Sequence, residues 1–277
     1  MRSTAENAQL ALLLEVAGAP KPGNVDRHRE YPDLRFEHFL AGAVGARDGL
    51  RMAADGERLG AAFREAIAGM SDQRGGNTQF GAVLLVTPLV AAAGRGDLSP
   101  DGASAVVAET TVADAADFYR AFEHVDVAVE DPPEGMEPLD VRRGGDAIPV
   151  LEERGLTLEG VMARSAERDG VAREWVGGFE RSFAAAAAIV AGSGPVTDRA
   201  AEVFLELLAE APDTFVAIQH DRETAERATE RARAARNGDI DPERLSEKFV
   251  AEGINPGTTA DTVAAGLFVA LERGLDV

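Results

Sequence analysis

The segment GNTQFGAVLLVTPLVAAAG, residues 76–94, leaves this chain the least freedom. It is apolar on every side of a helix, and such a helix has to lie in the middle of a fold with other elements packed around it. Pro88 inside it is expected to kink it. The neighbouring segments carry helical periodicity of the one-sided kind. Residues 4–17 place Leu10, Leu13, Leu14 and Ala17 on one face, and residues 35–54 place Phe36, Phe39, Leu40 and Val44 at helical spacing with Leu50 beyond. Further helices are expected at 147–154, 157–169, 171–191, 198–211, 213–236, 242–252 and 258–273, the 242–252 helix with Asp241 as N-cap and Pro242 at its first position. Alternating β-branched runs with hairpin turns are scarce. The expected architecture is all-α, one compact multi-helix globular domain over residues 1–277. One long stretch without period, residues 125–146, reads as an irregular loop of the kind that often carries function.

Charge narrows the function classes. Asp and Glu number 48 against 28 Lys and Arg, for a net charge of −20. A nucleic acid or an anionic membrane would repel such a chain. The acidity is spread along the whole length and lysine is nearly absent, a composition suited to high salt, where charge is screened. There are no cysteines, which removes disulfides, thiolate catalysis and cysteine-based zinc sites, and the four histidines lack metal-binding spacing. The apolar run near the start is interrupted by Glu6 and Glu15 and is too short to span a bilayer. The expectation is a soluble, cytoplasmic protein.

Four punctuated segments could carry chemistry, each at a helix boundary. APKPGNVD sets Lys21, one of two lysines, between Pro20 and Pro22, followed by Gly23, Asn24 and Asp26. The prolines stiffen the loop so that Lys21 projects to a phosphate, Gly23 allows close approach of a ligand, and Asn24 and Asp26 offer oxygens. An Asx-turn loop with a surface lysine is the ordinary alternative. RGGNTQFG brings Arg74, Asn77 and Thr78 to a helix start, where free N–H groups favour an anion, although an Asn or Thr there also serves as a plain cap. REWVGGF contributes Arg173 and Glu174, a pair that on a helix is otherwise a solvated face, and its Gly177–Gly178 inside a helical pattern suggests a bend or close packing. The two late segments contribute Asp213, Thr258 and Asp261, the aspartates equally suited as caps.

In this order the segments resemble the triphosphoribosyl-dephospho-CoA synthase family, from EVAGAPKPGNVD to NPGTTADTVAAG. Pro20 to Asp26 match its Pro-Lys-Pro-Gly-x-Val-Asp run. GGNTQFG is similar to its Gly-x-Asn-Thr-His-Lys-Gly segment, EWVGGF to Glu-x-x-x-Gly-Phe, and DTF and PGTTAD to Asp-Thr-Asn and Pro-Gly-Gly-Ser-Ala-Asp. Gln79 and Phe80 stand where the family has His-Lys, Phe215 where it has Asn, and Gln219-His220-Asp221 where Arg-Gly-Gly is expected. The resemblance implies an all-α transferase that moves the triphosphoribosyl group of ATP to 3′-dephospho-CoA with release of adenine. It implies Mg²⁺ at Asp213 and Asp261, phosphate or substrate contacts from Lys21, Gly23, Asn24, Arg74, Asn77, Thr78, Arg173 and Thr258, and catalysis by Glu174 and Asp26. A same-fold enzyme for another nucleotide or pterin-type precursor, or a non-catalytic nucleotide-binding homologue, is the alternative. The Ala- and Gly-rich helix faces suggest a homodimer.

Overall fold

The computed structural model describes residues 2–132 and 134–277. Its elements are α1 (Thr4–Ala17), α2 (Phe36–Gly45), α3 (Arg47–Ala54), α4 (Leu59–Met70), α5 (Phe80–Gly94), α6 (Pro100–Ala108) and α7 (Val112–Ala121). Two short 3₁₀ turns follow, Glu137–Leu139 and Val141–Ala147. The chain continues with α8 (Ile148–Arg154), α9 (Leu158–Ser165), α10 (Gly170–Val176), α11 (Glu180–Ala191) and α12 (Val196–Glu210). It ends with α13 (Thr214–Gln219), α14 (Arg222–Arg236), α15 (Pro242–Glu252) and α16 (Gly257–Glu272). No strand occurs among the described residues, and no helix among them is long and apolar enough to cross a membrane.

The apolar segment is α5, and it lies at the centre as its composition requires, with Ala82 to Ala92 buried without interruption. Pro88 has no N–H for the carbonyl of Leu84, one turn back. The indole N–H of Trp175 donates to that oxygen at 3.1 Å, so the buried acceptor is satisfied from α10. The second all-buried helix is α16, packed between α5, α11 and α1. Gly266 permits the close approach of α11: a Cβ there would meet Ala185 Cβ at 2.7 Å.

Three expected helices are each two. The 35–54 helix breaks at Ala46, because Gly45 packs its backbone on Gly69, where a Cβ would lie 2.0 Å from the carbonyl oxygen. The 171–191 helix breaks at Gly178 and Phe179, both at positive φ (69° and 59°). The 213–236 helix breaks at His220, after which Asp221 caps α14 through the Thr224 N–H at 2.6 Å. The buried face of α1 also differs from expectation. It is Ala8, Ala11, Leu12, Glu15 and Val16, while Leu10, Leu13 and Leu14 lie at the rim of the core. The small alanines let α1 sit tightly against α16, and this places the carboxylate of Glu15 on the inside.

Candidate active site

A cleft of about 480 Å³ opens where α5 and α16 begin, within the range of small-ligand sites. Its floor holds Glu15 of α1, Asn24, Gln79, Asn255, Thr258 and Asp261. One wall is aromatic and apolar, with Phe80, Phe118, Tyr119 and Phe122 from α5 and the end of α7. The other is built by Arg164, Arg168 and Asp169 around the start of α10, and by Thr214 and Phe215 of α13. Residues 126–132 with Met136, Leu139, Asp140 and Val141, all from the irregular stretch, complete the lining.

Hydrogen bonds hold the helix starts together. The Gly170 N–H donates to Thr214 Oγ1 at 3.0 Å, and Thr214 Oγ1 pairs with Thr258 Oγ1 at 3.0 Å. Asp213 Oδ2 accepts from the N–H and the hydroxyl of Thr259, both at 2.7 Å. Asp261 lies directly against Gly81, where a Cβ would be 2.0 Å from Oδ2. The starts of α5, α10, α13 and α16 therefore face one region. Their first-turn N–H groups are largely taken, by Asp169 and Thr214 on α10, by Asp213 on α13 and α16, and by Asn77 and Asp261 on α5, so what the starts offer an anion is the helix dipole.

Five of the residues singled out from the sequence line this cleft: Asn24, Asn77, Thr78, Thr258 and Asp261. The others have different duties. Lys21 does not project from its loop. It is fully buried behind the floor, in an ion pair with Glu15 and donating to Asn24 Oδ1 at 2.9 Å. Gly23, at φ 78°, makes room for the carbonyl of Ile254 and not for a ligand. Asp26 is buried with both oxygens occupied, accepting from the N–H groups of His28 (2.7 Å), Arg29 (2.9 Å) and Lys21 (3.3 Å) and from Arg29 Nη1 (3.0 Å). Glu174 is likewise no free base. It accepts from the N–H groups of Arg181 and Ser182 and from the Ser182 hydroxyl, filling the start of α11 after the positive-φ break. Arg173 donates to the carbonyls of Ala166 and Glu167. Arg74 is exposed and off the wall. Asp213 has both oxygens taken, Oδ1 by the N–H groups of Phe215 and Val216, so it clasps α13 to α16 and has nothing left for a metal.

The sequence reading missed Glu15, Asp169, Arg164 and Arg168. For Glu15 a signal existed: a carboxylate inside an apolar helical run, six residues before an isolated lysine. A charge on a buried face requires a partner, and the nearby lysine was it. Asp169 caps α10 through the N–H groups of Val171 (2.8 Å) and Ala172 (3.4 Å) while facing the cleft. Nothing in ERDG separates that double role from a plain cap.

The carboxylates of the floor are strained electrostatically. Burial pushes the Glu15 carboxyl up, opposed by Lys21, and burial also pushes up Asp169 and Asp213. Asp261 is raised well above the usual carboxylate range, first by burial and then by the charges of Glu15, Asp213 and Asp169, with the Ala82 N–H opposing. Strong perturbation in a cleft marks functional groups more often than structural ones.

Phe80 occupies the position of the resembled family's lysine. Its ring lies 5.2 Å from Phe63 and 4.9 Å from Phe122, so that position is part of an aromatic cluster and no longer a cation.

The family model described as ATP:dephospho-CoA triphosphoribosyl transferase matches residues 1–276. A crystal structure of a protein from Archaeoglobus fulgidus, described as a candidate triphosphoribosyl-dephospho-CoA synthase, is similar at 28% sequence identity with a TM-score of 0.68. The match covers 85% of this chain and 99% of that one. No curated protein matches the chain.

Proposed function

The chain belongs to the ATP:dephospho-CoA triphosphoribosyl transferase family, and from that premise we propose that its reaction runs in the cleft between the starts of α5 and α16. The activity is transfer of the triphosphoribosyl group of ATP to 3′-dephospho-CoA with release of adenine. The bond from ribose C1′ to adenine breaks with its electron pair leaving on the base, and a hydroxyl of the acceptor bonds to C1′ and gives up its proton. A second substrate class or a non-catalytic homologue is not favoured by the match.

The observation that carries the placement is the meeting of helix starts beside an unpartnered hydroxyl. Thr78 lines the cleft at the foot of the fifteen-residue α5, and its buried Oγ1, packed against Gly42 of α2, has no hydrogen-bond partner among the described residues. A triphosphate oxygen would accept from it and face the dipoles of α5 and α16. Arg164 and Arg168, also in the lining, add positive charge. Glu15, oriented by Lys21, is the carboxylate suited to stabilise positive charge on the sugar as adenine leaves.

The lining carries eight carboxylates and two arginines, so a triphosphate needs a further cation there. Among the described residues no cluster of three or more carboxylate or histidine ligands forms a cage. Mg²⁺ asks for less, since it is commonly held by one or two carboxylates with substrate phosphates and water supplying the rest. Asp261 fits that demand and Asp213 does not. Bound Mg²⁺ would neutralise charge on the phosphates. A cytoplasmic setting at high salt is the one we assign, on the acidic, lysine-poor composition and on ATP as substrate.

Incubation in multimolar KCl with ATP and Mg²⁺ is expected to release adenine only when 3′-dephospho-CoA is added, as read by chromatography of the bases. Folded protein that releases none under these conditions would sink the reading. The geometry also makes a local prediction. Gly81→Ala is expected to displace the Asp261 carboxylate and to cut the initial rate by about 100-fold, the scale of a 1 Å misplacement. An unchanged rate would mean that the position of Asp261 is immaterial.

A further inference from the structure

Three buried side-chain atoms lack a hydrogen-bond partner among the described residues, and two of them, Thr78 Oγ1 and Gln79 Oε1, belong to consecutive residues that line the cleft. A buried acceptor left unpaired is costly, and its persistence calls for a partner that arrives from outside. Gln79 is only 4% exposed. Its amide cannot turn over to relieve the vacancy. Nε2 donates to the carbonyl oxygen of Leu12 at 3.1 Å, and a flip would set oxygen against oxygen. Oε1 is therefore a fixed acceptor, satisfied by a donor or, as a much weaker ligand than a carboxylate, by a cation.

This requirement sorts the parts of the substrate, and the sorting rests on the reading proposed above. Phosphate oxygens are acceptors and cannot serve. The donors of ATP are the 6-amino group of the base and the ribose hydroxyls. Gln79 shares the lining with the carboxylates of Glu15 and Asp261 and with the ring of the next residue, Phe80. We propose that Gln79 is a specificity-determining residue whose Oε1 accepts a hydrogen bond from an N–H or O–H of the bound nucleoside. The residue that departs from the resembled family's histidine is then no vestige of a lost phosphate contact. It reads the nucleoside end of ATP, and the phosphates are left to Thr78 and the helix starts.

Binding tests this without turnover. Dissociation constants in multimolar KCl with Mg²⁺ would be measured by calorimetry for ATP, inosine triphosphate, 2′-deoxy-ATP and 3′-deoxy-ATP. Wild type is expected to bind at least one analogue about tenfold or more weakly than ATP. Rejection of inosine triphosphate identifies the base amine as the donor, and rejection of a deoxy analogue identifies that hydroxyl. In Gln79→Met and Gln79→Leu the contrast is expected to collapse. A merely structural role for Gln79 would weaken all four nucleotides alike and leave their ratios intact, which would overturn the proposal. So would equal binding of all four by wild type, a result that needs no variant to fold. Failure of the transfer reaction is read separately in the adenine assay and leaves these ratios legible. Absence of ATP binding to folded wild type would overturn both.

Discussion

Lys21→Met is expected to lower the melting temperature by roughly 6–20 °C, from a loss of about 3–5 kcal/mol on breaking a buried ion pair. Projection from a stiff loop would instead predict lost turnover in a stable protein. The geometry decides between them. Lys21 is fully buried, its Nζ is bound to Glu15 and Asn24, and it lies 5.9 Å from the centroid of Phe204. Methionine preserves the bulk and removes the charge, which leaves the Glu15 carboxylate uncompensated beside Asp261. Burial already raises the Glu15 carboxyl above its ordinary 4.5 even with Lys21 opposing, and without Lys21 it rises further. A carboxyl whose folded pKa is raised costs stability as pH climbs from the unfolded value through the folded one. The deficit of Lys21→Met should therefore be largest near neutrality and shrink as pH falls toward 4.5. Adding Glu15→Gln should recover a large part of the loss, as a double-mutant cycle would read. An unchanged melting temperature with abolished turnover would return Lys21 to the phosphate.

The scarcity of lysine pointed correctly to Lys21 and wrongly to the surface. A compact ammonium can be closed into a core by one carboxylate and one amide oxygen, whereas the wide guanidinium fork needs more partners. The same division runs through the rest of the chain. The centre of the fold was legible because α5 is apolar all round, a pattern with one physical solution. The break at Phe179 was marked by the glycine pair before it, but the breaks at Ala46 and His220 were not legible. All three are imposed by contacts distant in sequence, such as Gly45 on Gly69, and by caps such as Glu174 on α11. At the site, the four segments did lie at helix boundaries, and the helix starts do meet. Which of their oxygens are free could not be read. Asp, Asn and Thr are favoured at helix starts both as caps and as ligands. Asp26 is saturated by local donors, as the Asx-turn alternative had it, whereas Asp213 and Glu174 are completed by Thr259 and Ser182, which only the folded chain brings near them. Glu15 was hidden for the opposite reason: the leucines of α1 drew the eye to the rim, while the alanines mark the buried face.

Asp261→Asn is expected to separate stability from activity, raising the melting temperature while reducing adenine release by about 100-fold or more. The carboxyl of Asp261 is pushed well up by burial and by the charges of Glu15, Asp213 and Asp169, so its ionised form is a burden on the folded state. The amide is nearly isosteric, keeps the contact against Gly81, and carries no charge. The gain should be about 0.5–2 kcal/mol at neutral pH, in the range of other relieved functional strain. Its pH dependence follows from the direction of the shift. Wild type carries no penalty below the unfolded value, near 3.8, and accumulates one as pH rises through the raised folded value. The advantage of Asp261→Asn should thus vanish in acid and grow toward neutrality, a trend visible in melting curves at several pH values. Turnover should fall because the variant loses the one floor carboxylate suited to hold Mg²⁺ against the phosphates. Added Mg²⁺ should restore little of the rate, since an amide oxygen is a much weaker ligand than a carboxylate. A variant that loses stability and keeps its rate would show that Asp261 braces α5 against α16 and takes no part in the chemistry.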